Sequence, residues 1–467
     1  MVFEIWSILA HYQIQVNRQS VTFLYNSHIM SSAEKKVEKK IGTNLSGVKG
    51  MPDILGDHFY KIQGFFEKAQ EVSEYYGFKP IDTPILEYTD VFTTSIGEGT
   101  DVIDKEMYAF KTKGGDAVAM RPELTAGTMR AYIENGMANM PQPVLLYHAG
   151  PAFRHENTQK GRYRQFSVFD LDAYGSEKSI VDALVIKTAY TILEEAGGKD
   201  LSVDINSIGD KECRGRYVRE LTNYYKKHLK DLPAVDKERL ANNPLRILDS
   251  KDPKTIELNV DAPDAVSYLC PACKKHFKEV LEYLEEMEIP YSINKNLVRG
   301  LSYYTRTVFE IMEEREGDDG VLRKLTICGG GRYDYLGKML GSKKDIPAVG
   351  VGIGMNRVIE SPWYADLKPR IMKDPEAYFI QFGIEAKLKS LNIMEILRKA
   401  KFPVIQSISK DKLGSQLGHA EKLGVKYVMI FGQREALDNT VIVRNMVTRS
   451  QDTVKISELK EYIKKLK

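Results

Sequence analysis

The sequence predicts an α+β protein: a strand-rich core split by a helical insertion, followed by a smaller C-terminal α/β domain. Three observations predict it. Leu297–Glu310 turns at Arg299-Gly300, then alternates Tyr303, Thr305, Thr307 and Phe309 against Tyr304, Arg306, Val308 and Glu310, the period of a strand. Residues 211–289 are charge-rich and helical in spacing, with few strand signals. After Pro369 the pattern becomes β-α-β-α-β, which predicts a mostly parallel sheet in a domain of about 95 residues.

The 467 residues are enough for two or three domains. The expected divisions are 1–45 (a disordered or over-extended leader), 46–210 and 291–369 (the core), 211–290 (the insertion) and 370–467 (the α/β domain). Net charge is +3, but residues 370–467 hold 19 Lys+Arg against 11 Asp+Glu, a basic module on a slightly acidic body, which suits contact with a polyanion. The four cysteines, Cys213, Cys270, Cys273 and Cys328, make no disulfide framework and suit a reducing compartment, with the cytoplasm as the expected location. Cys270-Pro-Ala-Cys273 is half of a zinc pattern; with no second pair at suitable spacing it reads as a helix start, and no protein-only metal cage is expected. No apolar run reaches the ~20 residues that span a membrane. Residues 1–29 lack the basic start of a signal peptide and the arginines of a transit peptide, and Met30 makes a more natural start.

In chain order, Phe59, Ile62, Phe65, Phe66, Ala69 and Val72 predict a helix over 58–76, closed by Gly77 and followed by an edge strand carrying Pro84. Ala117–Arg121 reads as a strand running into a helix. Glu123 and Thr125 then lie at the strand's mouth, where they either cap that helix or hold a ligand ammonium. Pro143–His148 is a short strand. The loop after Phe153 and its flanks carry Arg154, Lys160, Arg162 and Arg164, a density suited to phosphates, and Asp170 and Asp172 share one face of the next strand. A helix over 180–196, a strand over 200–206 and a charged loop over 313–324 follow. Three glycines then come after the strand Leu325–Cys328, leading to Arg332-Tyr333-Asp334. Val349–Gly354 is a Gly-spaced strand leaving room for a flat group, and Arg357 sits in the first turn of the helix it enters.

Together these stretches resemble a class II aminoacyl-tRNA synthetase, and within that class the histidyl-tRNA synthetases, from about Gly47 to the C-terminus. Residues 74–92, Phe153–Phe166 and Gly350–Glu360 look like class motifs 1, 2 and 3. Leu297–Tyr304 and Gly329–Asp334 look like the two signatures particular to the histidine enzymes. The resemblance implies an antiparallel sheet flanked by helices, a C-terminal anticodon-binding domain and a homodimer. It also implies ATP-dependent activation of L-histidine and its transfer to tRNA(His), with Mg2+ on the ATP phosphates. It assigns Glu123 and Thr125 to the histidine ammonium, Asp172 with Tyr304 to the imidazole, and Tyr303, Tyr333 and Val168 to the same pocket. Arg299 bridges the histidine carboxylate and the α-phosphate, Arg154 holds the α-phosphate, and these two carry the catalysis. Glu156 meets the adenine end, Arg162 and Arg357 the outer phosphates, and Gln159 and Arg164 the tRNA acceptor end.

Two positions depart from the family pattern. Ser302 stands where the signature has Asp, and Val168 stands where the motif 2 strand has Gln. Losing that amide removes a hydrogen-bond partner, ~1–3 kcal/mol if nothing replaces it. These departures keep two alternatives in view: a tRNA-binding or regulatory relative, and a class II synthetase of shifted amino-acid specificity. The retained arginines and the C-terminal domain speak against the first, and Asp172 with Tyr304 against the second.

Overall fold

The computed structural model describes residues 46–466, apart from 98, 99, 101, 159, 160, 317–321 and 372. The expected N-terminal leader lies outside the described residues. Helix α1 (Gly56–Tyr75) forms because Phe65, Ala69 and Val72 recur on one buried stripe, and it stops where Gly77 takes φ +92°. The chain continues through β1 (Lys79–Pro80), β2 (Leu86–Tyr88), α2 (Thr89–Ile96), β3 (Ala109–Lys111), β4 (Ala117–Met120) and α3 (Thr125–Glu134). Then come β5 (Val144–Phe153), β6 (Gln165–Tyr174), α4 (Ser179–Glu195) and β7 (Leu201–Ser207).

Residues 211–290 are helical, as the periodicity predicts: α5 (Lys211–Lys227), α6 (Ala234–Asn242), α7 (Pro253–Val260) and α8 (Pro271–Glu286). The core resumes with β8 (Tyr291–Ile293), β9 (Thr305–Glu316), β10 (Leu322–Arg332), α9 (Leu336–Met339), β11 (Ala348–Gly354) and α10 (Met355–Ile359). Among the described residues, eight strands make one sheet in the order β1-β5-β6-β11-β10-β9-β7-β8. Its central pairings are antiparallel, and only the edge pairs β1–β5 and β7–β8 are parallel.

The sheet sorts its side chains by parity. In β6, Phe169, Leu171 and Ala173 join α1, α4 and α8 in the largest apolar core, and the Phe169 ring stacks on Tyr147 at 5.6 Å. Val168, Asp170 and Asp172 therefore face the other side. A one-residue slip would drive two carboxylates into that core, so the hydrophobic pattern fixes the register.

Several sequence expectations need correction. The strand that should begin at Tyr303 begins at Thr305, because Tyr303 and Tyr304 sit in the preceding turn. Of the expected charged loop over 313–324, the described residues are strand: β9 runs to Glu316 and β10 starts at Leu322, held by the backbone pairing between them whatever their charge. The strand ending at His148 continues through Pro151 to Phe153, and Gly329–Gly331 lie inside β10 rather than after it.

The C-terminal residues fold as β12 (Ala377–Gln381), α11 (Ile384–Lys399), β13 (Val404–Gln406), α12 (Leu413–Leu423), β14 (Tyr427–Phe431), α13 (Gln433–Asp438), β15 (Thr440–Asn445), β16 (Gln451–Lys455) and α14 (Leu459–Leu466). The order is β13-β12-β14-β15-β16, with the first two pairings parallel and the last two antiparallel. The expected mostly parallel sheet is thus half parallel. The strand β16 went unread because four of its five residues are exposed and it offers no apolar alternation.

Candidate functional site

Glycines clear the floor of the site. In the β6–β11 register Gly354, Gly352 and Gly350 lie opposite Val168, Asp170 and Asp172. A Cβ on Gly350 would lie 2.2 Å from Asp172 Oδ1, and one on Gly352 would lie 2.9 Å from Asp170 Oδ1. On β10, a Cβ on Gly329 would stand 2.4 Å from Arg299 Nη1. The period-two glycines thus leave space above the sheet for functional side chains from its neighbours.

That space is a cavity of about 510 Å³. One end is acidic and aromatic. Glu123 is buried with its two oxygens accepting from the backbone N–H groups of Thr125 (2.7 Å) and Ala126 (2.9 Å). It therefore does cap α3, and it also faces the cavity: the Tyr303 hydroxyl reaches its Oε2 at 3.5 Å. The rings of Tyr303, Tyr304 and Tyr333 cluster with centroids 4.8, 5.7 and 6.4 Å apart. Tyr333 donates to Asp172 Oδ1. Asp172 and Tyr333 stand behind the wall rather than on it, whereas Asp170, Glu123, Thr125, Val168, Tyr303 and Tyr304 line it.

Three carboxyls so close together, and buried, do not ionise freely. Burial is the largest influence on each. It raises Glu123, drives Asp170 well above the carboxylate range with Asp172 adding to the effect, and lifts Asp172 to about 7 against the opposing Tyr333 hydrogen bond. Asp170 Oδ1 and Asp172 Oδ2 are buried with no hydrogen-bond partner among the described residues. This end of the cavity is built for a ligand that brings positive charge and N–H donors.

The other end is basic. Arg154 is aimed by its Nε, which donates to Pro122 O at 2.8 Å, and its guanidinium lies 5.6 Å from the Phe166 ring centre. Glu156 lies between Arg154 and Arg162, 3.8 Å from each. Arg299 is ion-paired to Glu310 and packs against the Tyr304 ring, while its buried Nε finds no partner among the described residues. Arg357 donates to Thr326 O, and burial with the nearby Arg162 charge lowers its pKa. An anionic group here would meet several fixed guanidinium donors with their reorganisation already complete.

Not every predicted site residue gathers here. Arg164 does not line the cavity; its Nε donates to Glu156 O at 3.2 Å, bracing the motif 2 loop. Gln159 lies outside the described residues. Ser302 points at Gly97, within about 3 Å of where a Cβ there would stand, and is absent from the cavity wall. The sequence reading gave Asp170 no ligand role, though its parity with Asp172 was the available signal. Arg332, inside the second signature, is structural: fully buried, it binds Asp182 (3.0 Å), Asp334 (2.8 Å) and Ser176 O (2.7 Å).

A profile described as histidyl-tRNA synthetase matches residues 50–358, and one described as an anticodon binding domain matches 376–466. The chain belongs to the histidyl-tRNA synthetase family. It is 39% identical to the histidine–tRNA ligase of Aquifex aeolicus over 418 residues, which is 89% of this chain and 100% of that protein. It is 37% identical to that of Acetivibrio thermocellus over 411 residues, 88% and 97% of the two chains. The crystal structure of apo Staphylococcus aureus histidyl-tRNA synthetase superposes with a TM-score of 0.73 at 30% identity, covering 90% of this chain and all of that one. The predicted family, the α+β class and a histidine–tRNA ligase activity are thereby established. The regulatory alternative is not favoured: the chain's match to an ATP phosphoribosyltransferase regulatory subunit/histidyl-tRNA synthetase from Bacillus halodurans, at 21% identity and TM-score 0.58, is one of fold alone. No helix among the described residues is long and apolar enough to cross a membrane.

Proposed function

We propose that the acidic end of the cavity holds L-histidine and the arginine end holds ATP, so that the histidine carboxylate meets the α-phosphate beside Arg299 and Arg154. The observation that carries this reading is the single continuous cavity with Glu123, Asp170 and the tyrosines at one end and Arg154, Arg162, Arg299 and Arg357 at the other. Glu123 and Thr125 take the ammonium. Tyr304 meets the imidazole on the wall, the Tyr333–Asp172 pair directly behind it fixes the ring's orientation, and Asp170 adds an acceptor next to Val168.

Attack of the carboxylate oxygen on the α-phosphorus forms the acyl-phosphate bond and expels pyrophosphate. The terminal ribose hydroxyl of tRNA(His) then attacks the acyl carbon and expels AMP. In the first step negative charge accumulates on the α-phosphate oxygens, where Arg299 and Arg154 provide fixed forks. Arg357 and Arg162 hold the outer phosphates, and Glu156 sits toward the adenine. Mg2+ on those phosphates would supply charge neutralisation, and Glu310, a hard carboxylate on the same wall, would help to hold it. The motif 2 loop, with Gln159 and Arg164, meets the acceptor end, and the basic residues 370–467 meet the anticodon.

A homodimer is supported by the apolar side chains Ile85, Leu86, Tyr88 and Phe110, all exposed on or beside the small β2-β4-β3 sheet. Four free cysteines fit a cytoplasmic location. The test is ATP–pyrophosphate exchange with histidine and a panel of other amino acids. Exchange with histidine alone is expected; exchange driven by another amino acid, or none, would overturn the assignment.

A further inference from the structure

The fold supplies what the sequence spacing of Cys270 and Cys273 lacks. Asp210 and Cys213, at the first turn of the helical insertion, meet Cys270 and Cys273 at the start of its last helix. One ligand atom from each of the four lies within 4.8 Å of the others. We propose that these residues bind one tetrahedral zinc ion, ligated by three thiolates and one carboxylate oxygen, which clasps the base of the insertion.

The geometry fits before any metal is added. A tetrahedral zinc with Zn–S of about 2.3 Å and Zn–O of about 2.0 Å has O···S edges of about 3.5 Å and S···S edges of about 3.8 Å. Asp210 Oδ2 lies 3.3 Å from Cys273 Sγ and 3.7 Å from Cys270 Sγ, on either side of that edge. The carboxylate is already oriented as a one-oxygen ligand, because Oδ1 accepts from the N–H groups of Glu212 and Cys213, both at 3.0 Å. Backbone N–H groups also aim at the sulfurs: Cys270 N to Cys213 Sγ at 2.9 Å and Cys273 N to Cys270 Sγ at 3.4 Å. Such outer hydrogen bonds orient metal-bound thiolates and offset their charge. Gly209 lets the loop approach, since a Cβ there would lie 2.4 Å from Cys213 Cβ.

A simple packing of thiols does not explain the convergence. Asp210 Oδ2 accepts only weak S–H donors, from Cys270 and Cys273, whereas a divalent cation would take it as a ligand with the three thiolates and neutralise half of their combined charge. The clasp would also bear on the rest of the fold. Helix α5 begins at this cluster, and its Arg214 Nη1 donates to Ser302 O (3.2 Å) and Tyr304 O (3.1 Å), holding the turn that carries the pocket tyrosines.

The test is metal analysis of the full chain, purified reduced from zinc-replete medium, followed by cobalt titration of metal-stripped reduced protein. About one zinc per chain is expected, with a thiolate-to-cobalt charge-transfer band and tetrahedral visible bands saturating at about one equivalent. Cys213→Ser and Cys273→Ser, one from each half of the site, should each lower bound zinc roughly tenfold or more, while Cys328→Ser should retain it. Absence of both zinc and the cobalt spectrum overturns the proposal even if the variants fail to fold. So does a disulfide among Cys213, Cys270 and Cys273 in the isolated chain, or zinc undiminished in the folded variants.

Discussion

Asp172→Asn separates the physical cost of the pocket from its use. The folded carboxyl sits at about 7, against an ordinary value of 3.8, because burial outweighs the Tyr333 hydrogen bond. A carboxyl raised on folding leaves stability intact below 3.8, and stability is lost as pH climbs through the window from 3.8 to about 7. The linkage cost is about 1–2 kcal/mol at pH 5 and about 4 kcal/mol at pH 8. Asparagine keeps an oxygen for Tyr333 and removes the titration. The variant should therefore gain over the parent by roughly 3 kcal/mol more at pH 8 than at pH 5. Urea unfolding followed by Trp363 fluorescence reads this, since Trp363 packs on the main core and Trp6, the other tryptophan, lies outside the described residues. The same variant should raise the histidine KM roughly tenfold, because it weakens the Tyr333–Asp172 support behind the pocket wall. A stability gap equal at both pH values, or a variant weaker than the parent at pH 8, would refute the assignment of a destabilised buried carboxyl.

Other substitutions probe the rest of the cavity. Arg299→Lys keeps the charge beside Glu310 but loses the planar fork, and should lower kcat of pyrophosphate exchange roughly 10²-fold with a smaller change in histidine KM. Val168→Gln places an amide on the wall near Asp170 and should lower the histidine KM roughly five-fold, about 1 kcal/mol; an unchanged KM would show that Asp170 already fills that role. Gly350→Ala sets a methyl 2.2 Å from Asp172 Oδ1 and 2.7 Å from the Tyr333 hydroxyl, and should cost about 1–3 kcal/mol of stability along with histidine affinity, measured by thermal unfolding and exchange. Ser302→Asp, which restores the family residue, should leave the histidine KM unchanged because that side chain faces Gly97.

Legibility followed periodicity. Helix α1, strand β6 and the helical insertion were readable because their apolar spacing matches the face they bury. The arginines of the motif 2 loop were readable because so many cations beside a strand end suit few ligands other than phosphates. The termini of β9 and β10 were not readable, because Glu313–Glu316 and Arg323-Lys324 are runs of polar residues without apolar alternation and look like a loop. Strand β16 was hidden for the same reason. Arg332 looked like part of a binding signature until Asp182, 150 residues away in sequence, appeared as its buried partner.

The amino-acid sequence by itself determined the family, the alternation that sends Asp170 and Asp172 to one face, and the arginine set. These are local patterns of residue type and spacing. Only the tertiary structure decided that Asp170 stands on the cavity wall while Asp172 stands behind it, that Ser302 turns away, and that Cys213 and Asp210 complete a cluster with Cys270 and Cys273. Each of these depends on distances between segments far apart in the chain, which are set by sheet order and core packing and leave no periodic trace along the sequence.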